Sequence, residues 1–267
     1  MKTKYALILL VIVLVSCQRE EITFSARTDE TFYVDHMDSK MRVQVRGNTL
    51  ADKIVLTVHG GPGGSSYYLS DVEYMQNTVE PSYAVAYWDQ PLAGSTQGNR
   101  VGFKLDDIAD GLKKVIHTLR HRYGQDKKII LFSESWGGIV STTFFLSAQE
   151  NQGLVDGWIN ADGPHDFKLM DREMVKMAIT IGEEQIASGK NVNRWNKIVS
   201  YCKANNPPSG YDVSTKLNDL LGDAEYLIDD VVYVEFSTLD VFRREMGNNN
   251  APFTALGLNL FSNNINE

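Results

Sequence analysis

The sequence predicts a mostly parallel α/β sheet with helices on both faces, and three observations carry that expectation. Apolar runs (residues 53–58, 83–88 and 129–132, the last enriched in branched residues) each stop at a turn dense in Gly, Ser or Pro. Segments with helical spacing of apolar residues lie between them, and such alternation gives parallel strands joined by crossover helices. Beyond Asp166 the strand pattern fades and only helical segments follow. At 267 residues the chain has room for one large α/β domain or a domain with an inserted cap.

From the N-terminus, Met1-Lys2-Thr3-Lys4 precedes an apolar run over residues 6–15. A basic start followed by a core too short to span a bilayer is the layout of a secretory signal. The run ends in Leu14-Val15-Ser16-Cys17, which resembles a bacterial lipobox. That resemblance implies a lipidated Cys17 at the mature N-terminus, tethering a globular domain to a membrane of the bacterial cell envelope. An uncleaved anchor or an ordinary signal is the alternative. Residues 18–30 are polar, lack an apolar period and read as a tether. Cys202 then has no partner in the mature chain, which excludes an intrachain disulfide framework; it reads as a helix residue.

Residues 31–34 and 41–45 alternate as short strands around a polar turn, a hairpin opening the sheet, with His36 expected in the solvated turn. Residues 67–78 form a weak helical pattern. Leu105, Ile108, Leu112, Val115, Ile116 and Leu119 recur at helical spacing. Asp106, Asp107 and Asp110 lie toward that helix's start and Lys113, Lys114, Arg120 and Arg122 toward its end, an order that suits the helix dipole. His117 and His121, four apart, could share a metal, but no acidic or cysteine ligand joins them in a recognisable pattern, so no metal site is expected. A helix over 137–149 and a strand over 154–161 follow. Residues 170–188, 192–204, 214–228 and 239–246 then read as helices, separated by Pro207-Pro208-Ser209-Gly210 and Asn248-Asn249-Asn250. With 34 acidic and 26 basic residues, the net charge of -8 argues against a nucleic-acid partner, which needs clustered Lys and Arg.

The chemistry concentrates at the ends of the three apolar runs. Ile129-Ile130-Leu131-Phe132-Ser133-Glu134-Ser135-Trp136-Gly137-Gly138 reads as strand, sharp turn, helix, with a small-x-Ser-x-Gly turn. In a nucleophile elbow the serine, here Ser135, sits at the tip, and the N–H of the next residue, Trp136, faces the developing oxyanion. Small residues are needed two before and two after the nucleophile; Gly137 meets that demand and Ser133 meets it approximately. Upstream, His59-Gly60-Gly61-Pro62-Gly63-Gly64 follows a strand and leaves backbone N–H groups free, so Gly60 or Gly61 would give the second oxyanion donor. A phosphate loop or a plain turn is the alternative, although the spacing fits neither the dinucleotide nor the Walker pattern. The third run ends in Asp89-Gln90-Pro91-Leu92-Ala93-Gly94-Ser95. Ligands of such sheets bind beyond the carboxyl ends of the strands, which makes His59, Asp89 and Gln90 pocket-lining candidates beside Ser135.

These three motifs, in this order, resemble the proline iminopeptidase branch of the α/β-hydrolases, whose members carry HGGPG, then DQRGxGxS, then GxSWGG. The resemblance covers roughly residues 50–165, and the joint occurrence is more specific than any single motif. It departs at Ser133, which replaces the first elbow glycine, and at Pro91-Leu92-Ala93, which replaces the Arg-Gly pair and the residue after it. The resemblance implies a cofactor-free serine hydrolase that releases N-terminal residues, proline above all, from short peptides. It also implies an α/β-hydrolase core over residues 31–165 and a helical cap over 166–267, inserted after the sixth strand and covering the nucleophile. Cap glutamates hold the substrate amine in that family; Glu183, Glu184 and Glu225 are candidates by location, and a solvated helix face is the plainer reading of each.

A serine hydroxyl needs a base, and in this fold the order is Ser, then Asp or Glu, then His. Of the five histidines only His165 follows Ser135, in the turn leading into the cap. Asp162 and Asp240 are not placed to serve as the acid. The triad acid and base are therefore expected to be missing, together with the last strands and part of the cap, as in a truncated hydrolase. A non-catalytic substrate-binding lipoprotein, or an ester or amide hydrolase of the same fold, are the competing readings.

Overall fold

In the computed structural model, which describes residues 24–98 and 102–225, the apolar runs assemble into one six-stranded sheet. The strands are β1 (Thr28–His36), β2 (Ser39–Gly47), β3 (Lys53–Val58), β4 (Ala84–Trp88), β5 (Lys128–Glu134) and β6 (Gly157–Ala161), in spatial order β1-β2-β4-β3-β5-β6. The β1–β2 hairpin joins antiparallel to β4, and β4, β3, β5 and β6 run parallel. All five residues of β4 are buried, as expected for a central strand covered on both faces.

The register levels the strand ends. Val58 lies opposite Trp88 on one side and Ser133 on the other, so His59, Asp89 and the Glu134-Ser135 pair emerge at one end of the sheet. The core on one face packs Val43, Val45, Ile54, Leu56 and Leu131 against Leu112, Val115, Ile116 and Leu119 of the helix Leu105–Tyr123.

Helices are α1 (Tyr67–Ser70), α2 (Leu105–Tyr123), α3 (Trp136–Ser147), α4 (Gln149–Gln152), α5 (Phe167–Ala187), α6 (Val192–Ala204) and α7 (Tyr211–Glu225). The helix expected over residues 67–78 is split into α1 and a π-helical turn, Met75–Val79. Strand β1 starts at Thr28, so the polar segment read as a tether to residue 30 already belongs to the sheet at its end. His36 is a correction: it is buried, with Nε2 2.7 Å from the Asp107 carbonyl, because the ribbon folds its end onto α2. Helices α5, α6 and α7 have a core of their own, with Val175, Ala178, Trp195, Ile198, Cys202 and Leu217. Gly182 lets α5 approach α6, since a Cβ there would lie 2.4 Å from Val199. Cys202 is a buried helix residue, as expected.

Strand β6 pairs only with β5 among the described residues, and leaves Trp158 38% and Ile159 53% exposed on its edge. Among the described residues no helix is long and apolar enough to cross a membrane. The signal run, Cys17, Asp240, the expected helix over 239–246 and the Asn-rich turn lie outside the described residues, as do the side chain of Glu225 and the last residues of the helix expected over 214–228.

Candidate active site

Strand β5 passes into α3 through one residue, Ser135, at φ 45° and ψ -120°. A non-glycine residue held there stores roughly 1–3 kcal/mol of backbone strain. What holds it is a pair of contacts on its amide, which donates to the Ala161 carbonyl and to Asp162 Oδ1, both at 3.1 Å. Asp162 itself turns at φ 52°. The residue judged out of place as a triad acid therefore braces the elbow backbone instead. Ser135 is exposed, so the described helices do not cover it. Trp136 is the first residue of α3, whose opening N–H groups have no intrahelical partner and favour negative charge.

Gly137 meets the demand for a small residue through a strand–helix contact. A Cβ there would lie 1.9 Å from the Val58 carbonyl oxygen, so the close approach is between α3 and the end of β3. Gly138 packs on Gly163, where a Cβ would come within 2.6 Å of the Gly163 Cα. Ser133 faces neither contact. Its hydroxyl pairs with Ser141 at 2.6 Å and accepts from Trp158 Nε1 at 3.1 Å, which explains why a serine fits where the family has glycine.

The glycine loop meets the elbow at Gly60, whose missing Cβ would lie 3.1 Å from Glu134 Oε1 and 3.2 Å from the Ser135 Cβ. The Gly60 amide faces the Glu134 carboxylate. Burial pushes the pKa of Glu134 up, the Gly60 N–H opposes that rise, and the charge of Asp162 adds to it. Of the two candidate donors, the Gly60 N–H acts on a neighbouring side chain, and Gly61 turns at φ 133°.

His59, Asp89 and Gln90 need correction as pocket-lining residues. All three are buried, and each braces a loop. Asp89 Oδ1 accepts from Ser65 Oγ and the Ser66 amide, and Oδ2 accepts from the Ser95 amide, all at 2.9 Å; the Arg42 guanidinium lies 3.6 Å away. Gly94, at φ 51°, would place a Cβ 2.5 Å from the same carboxylate, so the turn wraps around Asp89. Leu92 adopts φ 60°, keeping a left-handed backbone where the family pattern has glycine. Gln90 links the motifs: its Nε2 donates to the His59 carbonyl at 2.8 Å and its Oε1 accepts from Trp136 Nε1 at 3.1 Å.

His59 Nε2 accepts from the Gln90 amide at 3.1 Å, which requires the ring proton on Nδ1, 2.7 Å from the Gly60 carbonyl. Desolvation lowers its pKa although Asp89 pulls the other way. The lowering prevails, because a proton on Nε2 would face the Gln90 N–H. None of the five histidines hydrogen-bonds to the Ser135 hydroxyl among the described residues, and His165 is exposed. A cavity of about 770 Å3 opens elsewhere, over the β1–β2 ribbon, lined by Tyr33, Arg42, Gln44, Tyr67, Ser95 and Thr96 among others, and by no residue of the elbow. Among the described residues no cluster of His, Cys, Asp and Glu could hold a metal ion.

Sequence reasoning missed Glu134 and Asp162. Glu134 occupies the unspecified position directly before the nucleophile, which was the one available signal.

The profile of the family described as "Serine aminopeptidase, S33" matches residues 49–168, the stretch that holds all three turns. A proline iminopeptidase of Lacticaseibacillus rhamnosus (strain Lc 705) is 24% identical over 180 residues, 65% of this chain and 57% of that protein. The chain thus spans a little over half the length of this curated relative. Among solved structures, VinJ aligns over 87% of this chain and 70% of its own at 19% identity and a TM-score of 0.52. Kex1Δp, a prohormone-processing carboxypeptidase of Saccharomyces cerevisiae, aligns over 73% of this chain and 52% of its own at 16% identity and a TM-score of 0.56. Both likenesses bear on the fold alone. With its strand order, its elbow and its glycine loop, the chain has the α/β-hydrolase fold.

Proposed function

We propose that this is the core of a serine aminopeptidase of the proline iminopeptidase type, with Ser135 as nucleophile and the amides of Trp136 and Gly61 as the oxyanion hole. The observation that carries the reading is the strained turn at Ser135, set over the start of α3 and level with the glycine loop. Ser135 attacks the carbonyl carbon of the first peptide bond; the carbonyl oxygen takes the negative charge and is met by the two amides. The tetrahedral adduct expels the amine of the second residue, and water then releases the acyl group. Proton transfer at each step needs a base, and the proposal leaves that to an Asp and a His outside these residues. Esters and simple amides are substrates the same machinery admits. We also propose that Cys17 tethers the domain to the bacterial cell envelope, a reading supported by Leu14-Val15-Ser16-Cys17.

The test compares hydrolysis of a chromogenic proline amide by the 267-residue chain and by a longer chain carrying a downstream Asp and His. The longer chain should turn over and lose activity on Ser135→Ala. The shorter one should be slower by several orders of magnitude, because a triad without its base keeps only what binding and the oxyanion hole supply. Equal turnover by both, abolished in both by Ser135→Ala, would show that a base lies within these residues. For the tether, a diacylated Cys17 peptide in the membrane fraction is expected; a soluble form with an unmodified N-terminus would contradict it.

A further inference from the structure

Resting on the aminopeptidase reading, we infer that Glu134 is the residue that recognises the free N-terminal ammonium of the substrate, a role expected of the cap glutamates. Glu134 Oε1 and the Ser135 Cβ both lie just over 3 Å from the same point above Gly60, so the carboxylate stands at the rim of the reacting centre. In a peptide cleaved after its first residue, the ammonium nitrogen is two bonds, about 2.5 Å, from the carbonyl carbon under attack. An anion that reads that nitrogen must therefore stand beside the nucleophile, as Glu134 does.

Charge supplies the second step. A carboxylate beside an oxyanion hole opposes the negative charge that develops there unless a cation or a proton neutralises it. Among the described residues no Lys or Arg acts on Glu134; besides burial, what acts on it is the Gly60 amide and a second carboxylate, Asp162. Asp162 spends Oδ1 on the Ser135 amide and adds its charge to the same corner. Two carboxyl groups thus share the corner where the hydrolysis would generate negative charge. A substrate that brings its own ammonium removes the conflict, and one with a blocked N-terminus does not. The secondary ammonium of an N-terminal proline, with two N–H donors, fits such a carboxylate.

The experiment measures binding and not turnover, so its failure is separate from failure of the hydrolase reading. In the Ser135→Ala protein, calorimetric titration at pH 7 compares prolinamide, which is cationic, with N-acetylprolinamide, which is neutral. Prolinamide should bind roughly tenfold or more tightly. Adding Glu134→Gln, which keeps the shape and an acceptor for the Gly60 amide, should bring the ratio to about one. Glu134→Asp, with the charge drawn back by a methylene, should keep part of the preference, and melting curves report that each variant is folded. A preference that survives Glu134→Gln in full, equal binding of the two ligands by the Ser135→Ala protein, or binding of neither would overturn the inference.

Discussion

The two sides of the elbow use similar residues for opposite ends. Behind it, His59, Asp89 and Gln90 are buried, and their hydrogen bonds tie the glycine loop, the β4 turn and Trp136 together. In front, Ser135 is exposed at a strained backbone angle, and Glu134 faces one backbone amide and a like charge. The rear is satisfied and the front is not. Polar groups that complete one another hold a loop, whereas a strained or unneutralised group is left for something that arrives later. The three motifs are mostly a mount, and the chemistry occupies a few atoms of it.

The largest effect should come from breaking the rear. Asp89→Ala leaves the buried Arg42 and three donors without their acceptor, which is expected to cost about 3–5 kcal/mol. Urea denaturation followed by tryptophan fluorescence measures it. A loss under about 1 kcal/mol would mean that the turn is held by something else.

A smaller and pH-dependent effect should come from His59. Its folded pKa lies below the ordinary imidazole value of 6.5, so its contribution is complete above pH 6.5 and fades as pH falls toward the folded value. The urea midpoint should therefore drop below about pH 6.5, and His59→Gln should remove that part of the slope while lowering stability overall. A wild-type midpoint that is flat through this window, or one that rises as pH falls, would contradict a neutral buried ring.

The smallest effect belongs to the front. Ser135→Gly should be more stable than Ser135→Ala by about 1 kcal/mol, the strain at φ 45° offset in part by the unfolded-state entropy of glycine. If alanine is the more stable, the elbow is not strained as described.

How much of this could be read from the chain depends on what a residue's position determines. Branched residues ending at small-x-Ser-x-Gly identify a strand, a sharp turn and a helix, and the elbow is found there. The same logic brings His59 and Asp89 to the ends of their strands but not into a pocket, because sequence position does not say whether a side chain turns out toward ligand or back under a loop. Asp89 turned back because Ser65, Ser66 and Ser95 offered it donors from two loops. His36 was misread for a related reason, since its burial depends on α2, some seventy residues further along. Gly137 is legible by its size, but its neighbour is not; only the register of β3 beside β5 brings Val58 under it.

The central claim is that Ser135 and two backbone amides form one acyl-transfer site, and a crystal structure with a prolyl boronic acid tests it most directly. Boron should be bonded to Ser135 Oγ, with one boronate oxygen about 3 Å from the amides of Trp136 and Gly61 and the proline nitrogen turned toward Glu134. An adduct whose oxygens point away from both amides, or a ligand that leaves Ser135 unbonded, would contradict the account.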